Sequence, residues 1–416
     1  MRPSLLADPP PNPETLVLSD VRLFDGTGGP IRDRVTVVVE EGRVAAVLNG
    51  AAGSHPGARV VDLGGRFLLP GLVDSHSHVA VEMPTVPEGA EPLRPGVAGY
   101  LAAESLRRAL AMGITTVRDV GSYGDTVFEL RQAMRLGAAR GPRLLTCGKI
   151  VSATSPGGRH FEGMYREADG ADDMRKAARE QLRAGADFVK IMMTGARSVE
   201  LENPGPAQVT GEEVAALVDE AHRQGYRVAA HCEGLEGTRL AVDHGIDTIE
   251  HGFFLHQEPE LLTRMGRAGQ VLIPTLSFLV DVADRHASTW SPHLVRRGTY
   301  NLDEALKTVA AAADAGVAMA MGYDSAPEEA AASELALMVE AGLSPIAALT
   351  AATATGAMAL GLDDVVGTVT PGKLADLLVV DADPVADIGV LADPAAIHLV
   401  LQLGTPVGGR ALDAAL

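Results

Sequence analysis

The stretch Pro70-Gly71-Leu72-Val73-Asp74-Ser75-His76-Ser77-His78 has the composition of a buried strand that ends in two histidines. Residues two apart on a strand share a face, so His76 and His78 can point together toward one metal ion. The chain has 12 histidines in 416 residues. A pair with this spacing is therefore expected by chance about one third of the time. It becomes evidence for a metal site because it lies at the end of a predicted strand.

Short apolar β-runs continue beyond this stretch, and many of them are followed by an Ala-rich helical segment. Such alternation predicts parallel strands joined by crossover helices. Eight strands favour a closed (β/α)8 TIM barrel over an open sheet, so the predicted fold class is α/β. The predicted barrel strands are residues 69–76, 115–120, 143–150, 188–193, 227–231, 248–251, 271–275 and 318–324.

Both ends of the chain have a different pattern, with short strands separated by Gly, Asp and Pro turns. These strands are expected to complete one small β-sandwich domain from the two ends. The chain length suits a barrel of about 250 residues with such a companion domain. The predicted domains are residues 1–69 and 364–416 for the sandwich and residues 70–363 for the barrel.

Three connections in the barrel are long, at residues 79–99, 152–169 and 277–301. Connections of this length usually form lids or binding walls at the mouth of a barrel.

The net charge and the N-terminal segment limit which partners and which cellular location are expected. With 35 basic and 54 acidic residues the formal net charge is −19, so nucleic acid and anionic membrane surfaces are not expected as partners. Residues 1–13 contain no apolar run that would serve as a signal peptide, and a cytoplasmic location is expected. Cys147 and Cys232 are predicted to be buried free thiols, as in a reducing compartment.

Four more residues of ligand type end other predicted strands: Lys190, His231, His251 and Asp324. Each alone could be an ordinary core or surface residue. Since the strands of one barrel end at one mouth, the four are predicted to converge there with the His76 and His78 pair.

Lys190 needs a separate explanation, because an ammonium group is a poor metal ligand. Burial favours the neutral amine, which can react with carbon dioxide to give a carbamate that bridges two cations. The alternative is an ordinary lysine at a strand end that reaches solvent.

The same strings resemble the amidohydrolase superfamily over nearly the whole chain. The resemblance rests on GLVDSHSH at residues 71–78, TTVRD at 115–119, ADFVKI at 186–191, IEHG at 249–252, GYD at 322–324 and TVTPGKLAD at 368–376. Within the superfamily the chain is similar to the branch of Xaa-Pro dipeptidases, imidazolonepropionase-like proteins and hydrolases of carbamate and phenylurea herbicides.

The resemblance implies a centre of two divalent metal ions, usually zinc, bridged by carboxylated Lys190. It implies that metal-bound hydroxide attacks the acyl carbon, and that Asp324 accepts the proton of the water and passes it to the leaving nitrogen. Asp324 and Lys190 are thus the implied catalytic residues. The expected substrate is a small amide: an N-acyl amino acid, a dipeptide, a carbamate or a urea. The implied metal ligands are His76, His78, Lys190, His231, His251 and Asp324.

Some residues depart from the pattern of this branch. Relatives often carry Gly-Gly-His-Gly after the third strand, whereas this chain has Gly157-Gly158-Arg159-His160. Arg159 and His160 could hold a substrate carbonyl or carboxylate, or could form a solvated loop pair. Tyr323 stands where a threonine is common beside the metal-binding aspartate, and it is a candidate to reshape the substrate pocket.

Two other functions stay open at this point. One is a cyclic-amide hydrolase or deaminase of the imidazolonepropionase type, against which Lys190 counts, because such enzymes commonly use one metal. The other is a non-catalytic binding protein, against which the complete ligand set counts. Assembly into a homo-oligomer is expected. Arg118 and Asp119 are predicted to form an internal ion pair without a role in catalysis.

Overall fold

The computed structural model describes residues 14–50, 53, 55–80, 94–285, 287, 290–327 and 332–412. The N-terminal segment 1–13 and most of the predicted connection 79–99 lie outside these residues. The strands are β1 Leu16–Leu23, β2 Arg32–Glu40, β3 Arg43–Asn49, β4 Arg59–Asp62, β5 Phe67–Pro70, β6 Leu72–Ser77, β7 Ile114–Asp119, β8 Arg143–Thr146, β9 Ile150–Ser152, β10 Tyr165–Glu167, β11 Val189–Met192, β12 Val228–Cys232, β13 Thr248–His251, β14 Val271–Ile273, β15 Ala318–Met319, β16 Leu377–Val380, β17 Ile397–Gln402 and β18 Thr405–Gly408.

The helices alternate with the barrel strands, as the Ala-rich segments predict. They are α1 Pro95–Ala111, α2 Thr126–Arg135, α3 Pro156–His160, α4 Ala171–Ala184, α5 Gly211–Arg223, α6 Leu235–Asp243, α7 Pro259–Ala268, α8 Leu276–Val280, α9 Pro292–Asp314, α10 Ser333–Glu340, α11 Pro345–Ala351 and α12 Ala354–Leu360, with 3₁₀ turns at Leu255–Gln257 and Ile388–Ala392 and a π turn at Asp281–Arg285.

Parallel strands form the barrel in two hydrogen-bonded groups. One group has the order β6-β7-β8, and the other has the order β10-β9-β11-β12-β13-β14-β15. Backbone bonds join the groups, from Asp187 N to Thr146 O at 2.8 Å and from Asp324 N to His76 O at 2.8 Å. The predicted α/β fold class with a TIM barrel is confirmed.

The ends of the chain build one eight-stranded sheet with the order β18-β17-β16-β5-β1-β2-β3, in which β4 also pairs with β1. The N-terminal strand β5 pairs antiparallel with the C-terminal strand β16, from Pro70 opposite Leu377 to Phe67 opposite Val380. Apolar side chains from both ends share one core, including Leu18, Val37 and Val379. The companion domain is thus made from both ends, as predicted, while its residue boundaries stay a prediction.

Five predicted barrel strands, the first, third, fourth, seventh and eighth, are shorter than expected, and glycine explains the first and the third. Gly71 separates β5 of the sheet from β6 of the barrel, and a Cβ at this position would lie 2.2 Å from Thr115 Oγ1. Gly148, with φ of +68°, divides the predicted third strand into β8 and β9. In the eighth predicted strand, only Ala318–Met319 pair regularly with β14. The chain then turns toward β6.

Helices occupy much of the connection predicted at residues 277–301. The chain passes through α8 and the π turn into α9, whose 23 residues begin at Pro292 behind a Ser291 cap. Residues 302–314, which follow the predicted connection, are therefore only the second half of α9. This connection forms a packed wall of the barrel mouth.

The predicted Arg118–Asp119 ion pair is wrong. Neighbouring residues of a strand point to opposite faces. Arg118 crosses the barrel interior and pairs with Glu250, with an Nη2 to Oε1 distance of 2.9 Å. Asp119 instead accepts hydrogen bonds from Val79 N and Thr146 Oγ1.

Cys147 and Cys232 are buried and free, as predicted. Among the described helices, none combines the length and the apolar character that a membrane span requires.

Candidate metal centre

All six predicted ligand positions line one pocket at the barrel mouth. Five of them lie at or beyond the ends of strands, and Lys190 lies within β11, so the convergence expected from a barrel is present. These residues are His76, His78, Lys190, His231, His251 and Asp324.

Three residues at this mouth have left-handed backbone, which is uncommon outside glycine. The φ angles are +70° at His251, +53° at Thr275 and +60° at Asp324. Each such conformation costs about 1–3 kcal/mol and is retained where the surroundings fix it, often at functional sites. The turn at His251 lets its imidazole enter the pocket although Glu250 beside it points into the barrel interior.

The imidazoles of His76 and His78 are each oriented by a hydrogen-bond partner on the side away from the pocket. Nδ1 of His76 lies 2.5 Å from Glu250 Oε2, and Nδ1 of His78 lies 2.7 Å from Gly121 O. The opposite nitrogens face Asp324, whose Oδ1 is 3.0 Å from His76 Nε2 and 3.3 Å from His78 Nε2. Outer partners that fix one ring nitrogen are the usual support of metal-binding histidines.

His231 and His251 face each other in the same pocket. Nδ1 of His231 lies 2.9 Å from Nε2 of His251. Their other nitrogens are held from outside, at 3.3 Å from Gly195 O for His231 and 2.7 Å from Thr275 Oγ1 for His251. Two inward-facing imidazole nitrogens at this distance suit a shared cation.

The donor set fits divalent metal ions. One ligand atom each of His76, His251 and Asp324 lies within 4.8 Å of the others, and all three residues are buried. Nitrogen and carboxylate donors are those that zinc prefers. The described residues therefore contain a group able to hold a metal ion.

Lys190 is 2% exposed at the base of this group. Burial lowers the pKa of its amine, Arg118 lowers it further, and Glu250 opposes the shift. The surroundings therefore favour the neutral amine, the form that a carbamate requires.

Charge around Asp324 favours its carboxylate. Burial would raise the pKa of Asp324, but His76 and His78 outweigh this effect and hold that pKa well below its ordinary value. Glu250 behaves in the same way, because Arg118, Lys190 and His76 together outweigh burial and lower the pKa of Glu250.

Arg197 and Glu233 are site residues that the sequence analysis missed. Arg197 Nη1 lies 3.1 Å from Glu233 Oε1, and Nη2 lies 2.8 Å from Asp324 Oδ2. The available signal was a charged residue in each connection that follows a ligand-bearing strand, β11 for Arg197 and β12 for Glu233. Glu250 was missed too, although it adjoins His251 in the string IEHG.

The rest of the pocket wall is mainly apolar. The pocket has about 50 Å³ of room for water-sized groups, or about 520 Å³ when the adjoining space open to solvent is counted. The apolar and aromatic lining residues are Ile150, Phe161, Met164, Tyr165, Met192 and Phe278.

The three predicted substrate-binding residues are not among those that line the described pocket. Arg159 and His160 are exposed in the short helix α3, with the His160 ring 4.6 Å from the ring of Phe161. Tyr323 is buried, and its hydroxyl donates to Asp281 Oδ2 at 2.9 Å. Their roles in substrate binding stay predictions.

Known proteins share this fold and sequence pattern. Ochratoxinase of Aspergillus niger is 29% identical over 438 aligned residues, which cover 97% of this chain and 88% of ochratoxinase. The structure of a Xaa-Pro dipeptidase with bound methionine in the active site superposes with a TM-score of 0.85 at 28% identity, covering 95% of this chain and 100% of that chain. A prolidase complexed with N-methylphosphonate-L-proline gives the same four values.

The part of the chain that matches a known protein family extends beyond the barrel. The pattern of the Amidohydrolase family extends over residues 67–407, from β5 of the end sheet through the barrel to β18. The chain therefore belongs to the amidohydrolase family of hydrolases.

Proposed function

We propose that this protein is a metal-dependent hydrolase that cleaves the C–N acyl bond of a small amide. The observation that carries the proposal is the orientation of four histidines, of which three are buried and His78 is partly buried. Each has one ring nitrogen held by an outer partner and the other directed toward Asp324 or toward a second histidine. Such an arrangement costs desolvation, and a bound cation offsets this cost.

Two divalent ions, with zinc as the first candidate, fit the proposal. His76, His78 and Asp324 would hold one, and His231 and His251 the other, with carboxylated Lys190 between them. When bound, the ions supply Lewis acidity and lower the pKa of water.

Asp324 moves the proton in this proposal. Its carboxylate lies 3.0 Å from His76 Nε2 and 3.3 Å from His78 Nε2 at the mouth, and in this proposal it accepts a proton from the attacking water. It then passes this proton to the nitrogen of the leaving group. Loss of a neutral amine completes cleavage of the C–N bond.

N-acyl amino acids and dipeptides are the favoured substrates within the broader class of amides, carbamates and ureas. One superposed relative, a Xaa-Pro dipeptidase, has methionine bound in its active site, and the other is a prolidase complexed with N-methylphosphonate-L-proline. Ochratoxinase is named for a different substrate, ochratoxin. The apolar wall of the pocket suits apolar groups on either side of the scissile bond.

Metal-loaded protein tested against N-acyl amino acids, dipeptides, carbamates and phenylureas provides the experiment. Hydrolysis that disappears in Asp324→Asn and persists in Asp303→Asn, a change at an exposed aspartate of α9, is the expected result. A fully metal-loaded protein that cleaves no member of any of the four classes would overturn the proposal. A cytoplasmic location and assembly into homo-oligomers stay predictions from the sequence.

A further inference from the structure

Arg197 places a cation beside the proposed proton carrier. It lies in the connection between β11 and α5, and its side chain is 7% exposed. Its Nη2 lies 2.8 Å from Asp324 Oδ2 and its Nη1 lies 3.1 Å from Glu233 Oε1. The guanidinium therefore borders the same pocket as the histidines.

The guanidinium is held in one position before any substrate enters. Phe253 and Phe278 flank it, with ring centroids 5.2 and 4.9 Å from Cζ. The backbone of Arg197 is fixed as well, because its N–H donates to Glu233 Oε1 at 2.8 Å and its carbonyl accepts from Arg297 Nη1 at 3.0 Å. Little side-chain freedom is left to lose on binding, which favours affinity.

The two carboxylates do not satisfy this guanidinium. Its Nε is buried without a hydrogen-bond partner among the described residues. Asp324, in turn, is shared with His76 and His78. A cation bound at Asp324 would add positive charge next to Arg197. Bound cations would thus offset the charge of Asp324, and the planar guanidinium that borders the pocket matches a carboxylate.

We propose that Arg197 binds the α-carboxylate of the leaving amino acid, so that the substrates are N-acyl α-amino acids, including dipeptides. This inference rests on the proposed function, because it assumes that Asp324 gives its proton to the leaving nitrogen. In an N-acyl α-amino acid the carboxylate is attached to the carbon bonded to that nitrogen. A carboxylate on Arg197 therefore brings the nitrogen beside Asp324, whereas simple N-alkyl amides offer no such anchor.

Matched substrates test the carboxylate directly. N-acetyl-L-methionine and N-acetyl-L-phenylalanine are compared with N-acetyl-3-(methylthio)propylamine and N-acetyl-2-phenylethylamine, which differ only in lacking the carboxylate. We expect wild-type kcat/KM to be about 10- to 100-fold higher for the acids, the range that hydrogen bonds to a charged group provide. Arg197→Met should remove this preference, and Arg197→Lys should keep part of it.

Binding gives a readout that does not depend on turnover. Titration calorimetry of L-methionine and of 3-(methylthio)propylamine, with metal-free and metal-loaded protein, should show at least about tenfold tighter binding of the amino acid. Arg197→Met should abolish this difference. Arg175→Met, which removes a surface guanidinium paired with Asp219, should leave the preference unchanged.

The outcomes separate the two proposals. If the wild type cleaves acids and plain amides equally, or if folded Arg197→Met keeps the preference, the role given to Arg197 is wrong while hydrolysis stands. If the wild type cleaves none of these amides, the proposed function is in question and the calorimetric preference alone decides for or against Arg197. Should Arg197→Met fail to fold, the ratio measured with Arg197→Lys decides, because an unchanged ratio would contradict the role given to the guanidinium.

Discussion

Nδ1 of His76 lies 2.5 Å from Oε2 of Glu250, and Oε1 of the same carboxylate lies 2.9 Å from Nη2 of Arg118. A single buried carboxylate thus orients a predicted metal ligand and neutralises a guanidinium below the mouth. The metal site and the barrel interior are coupled through this contact.

Glu250→Gln tests that coupling. The amide keeps the shape but cannot hold His76 with a charged bond, so we expect metal affinity to fall about 10- to 100-fold, as for other outer partners of metal-binding histidines. The partly uncompensated Arg118 should also lower stability by about 1–3 kcal/mol. Chelator competition and thermal unfolding measure the two effects. Glu104→Gln, in an exposed pair with Arg107, is the control and should change neither.

The sequence was sufficient to predict that the six residues meet in one pocket, because barrel strands open at one mouth; their role as metal ligands stays a prediction. It was not sufficient for Glu250 and Arg118. Alternation along a strand places Glu250 and His251 on opposite faces, and only the +70° φ of His251 lets both serve one site from two sides. Arg118 and Glu250 come from strands far apart in sequence, so their pairing depends on how the barrel closes.

Arg197 was missed for another reason. It lies in a connection, where the strand pattern gives no direction for a side chain, and its position is set by Glu233 and Arg297. The same limit applies to Arg159 and His160, which the motif placed near substrate and which the structure leaves exposed in α3.

Metal content is the next prediction. We expect about two divalent ions per chain after metal-replete expression, since Lys190 as a carbamate would join both halves of the ligand set. Elemental analysis measures the number. Ions that bind only the folded protein stabilise it by about 2.7 kcal/mol at a concentration 100 times the Kd, so chelation should lower the Tm. One ion per chain at saturation, with unmodified Lys190, would contradict the binuclear proposal.

Asp324→Asn and His76→Ala should each lower kcat at least about a thousandfold, because proton transfer or metal activation is lost. The barrel should stay folded, since both residues lie at the mouth and outside the packed core clusters. Steady-state kinetics and circular dichroism test the two statements. Near-wild-type rates in either variant would refute the assignment of that residue.

Stability should depend on pH through Glu334 of α10. This buried carboxyl accepts hydrogen bonds from Leu276 N at 2.9 Å and Ser277 N at 2.7 Å, yet burial raises its pKa from 4.5 to about 7. A raised carboxyl pKa means that the folded state binds the proton more tightly than the unfolded state. Stability from this group is therefore full below about pH 4.5 and is lost as the pH rises to about 7.

Glu334→Gln removes that titration. The free energy of unfolding of the wild type should fall by up to about 3 kcal/mol more than that of the variant between these pH values. Urea unfolding across the range measures the slopes. Glu340→Gln, at an exposed position of the same helix, should keep the wild-type slope. Equal slopes in the wild type and Glu334→Gln would show that Glu334 does not titrate in this window.

The last prediction concerns the chemical form of Lys190. Burial lowers the pKa of the amine. A lower pKa shifts the amine toward its neutral form, which can react with carbon dioxide, and away from the charged ammonium, which cannot. Lys190→Ala should lose metal and activity together, and added formate or acetate should restore part of both by occupying the vacated space. Lys190→Glu should keep some metal and a reduced rate of hydrolysis, because its carboxylate also offers two oxygens.

Lys190→Arg keeps a positive charge and forms no carbamate, so it should be inactive. Lys176→Arg, at an exposed site, is the control and should be unaffected. Elemental analysis, kinetics and intact-mass measurement under carbon dioxide provide the tests, and a Lys190→Arg variant that binds two metals and hydrolyses substrate normally would exclude the bridging role.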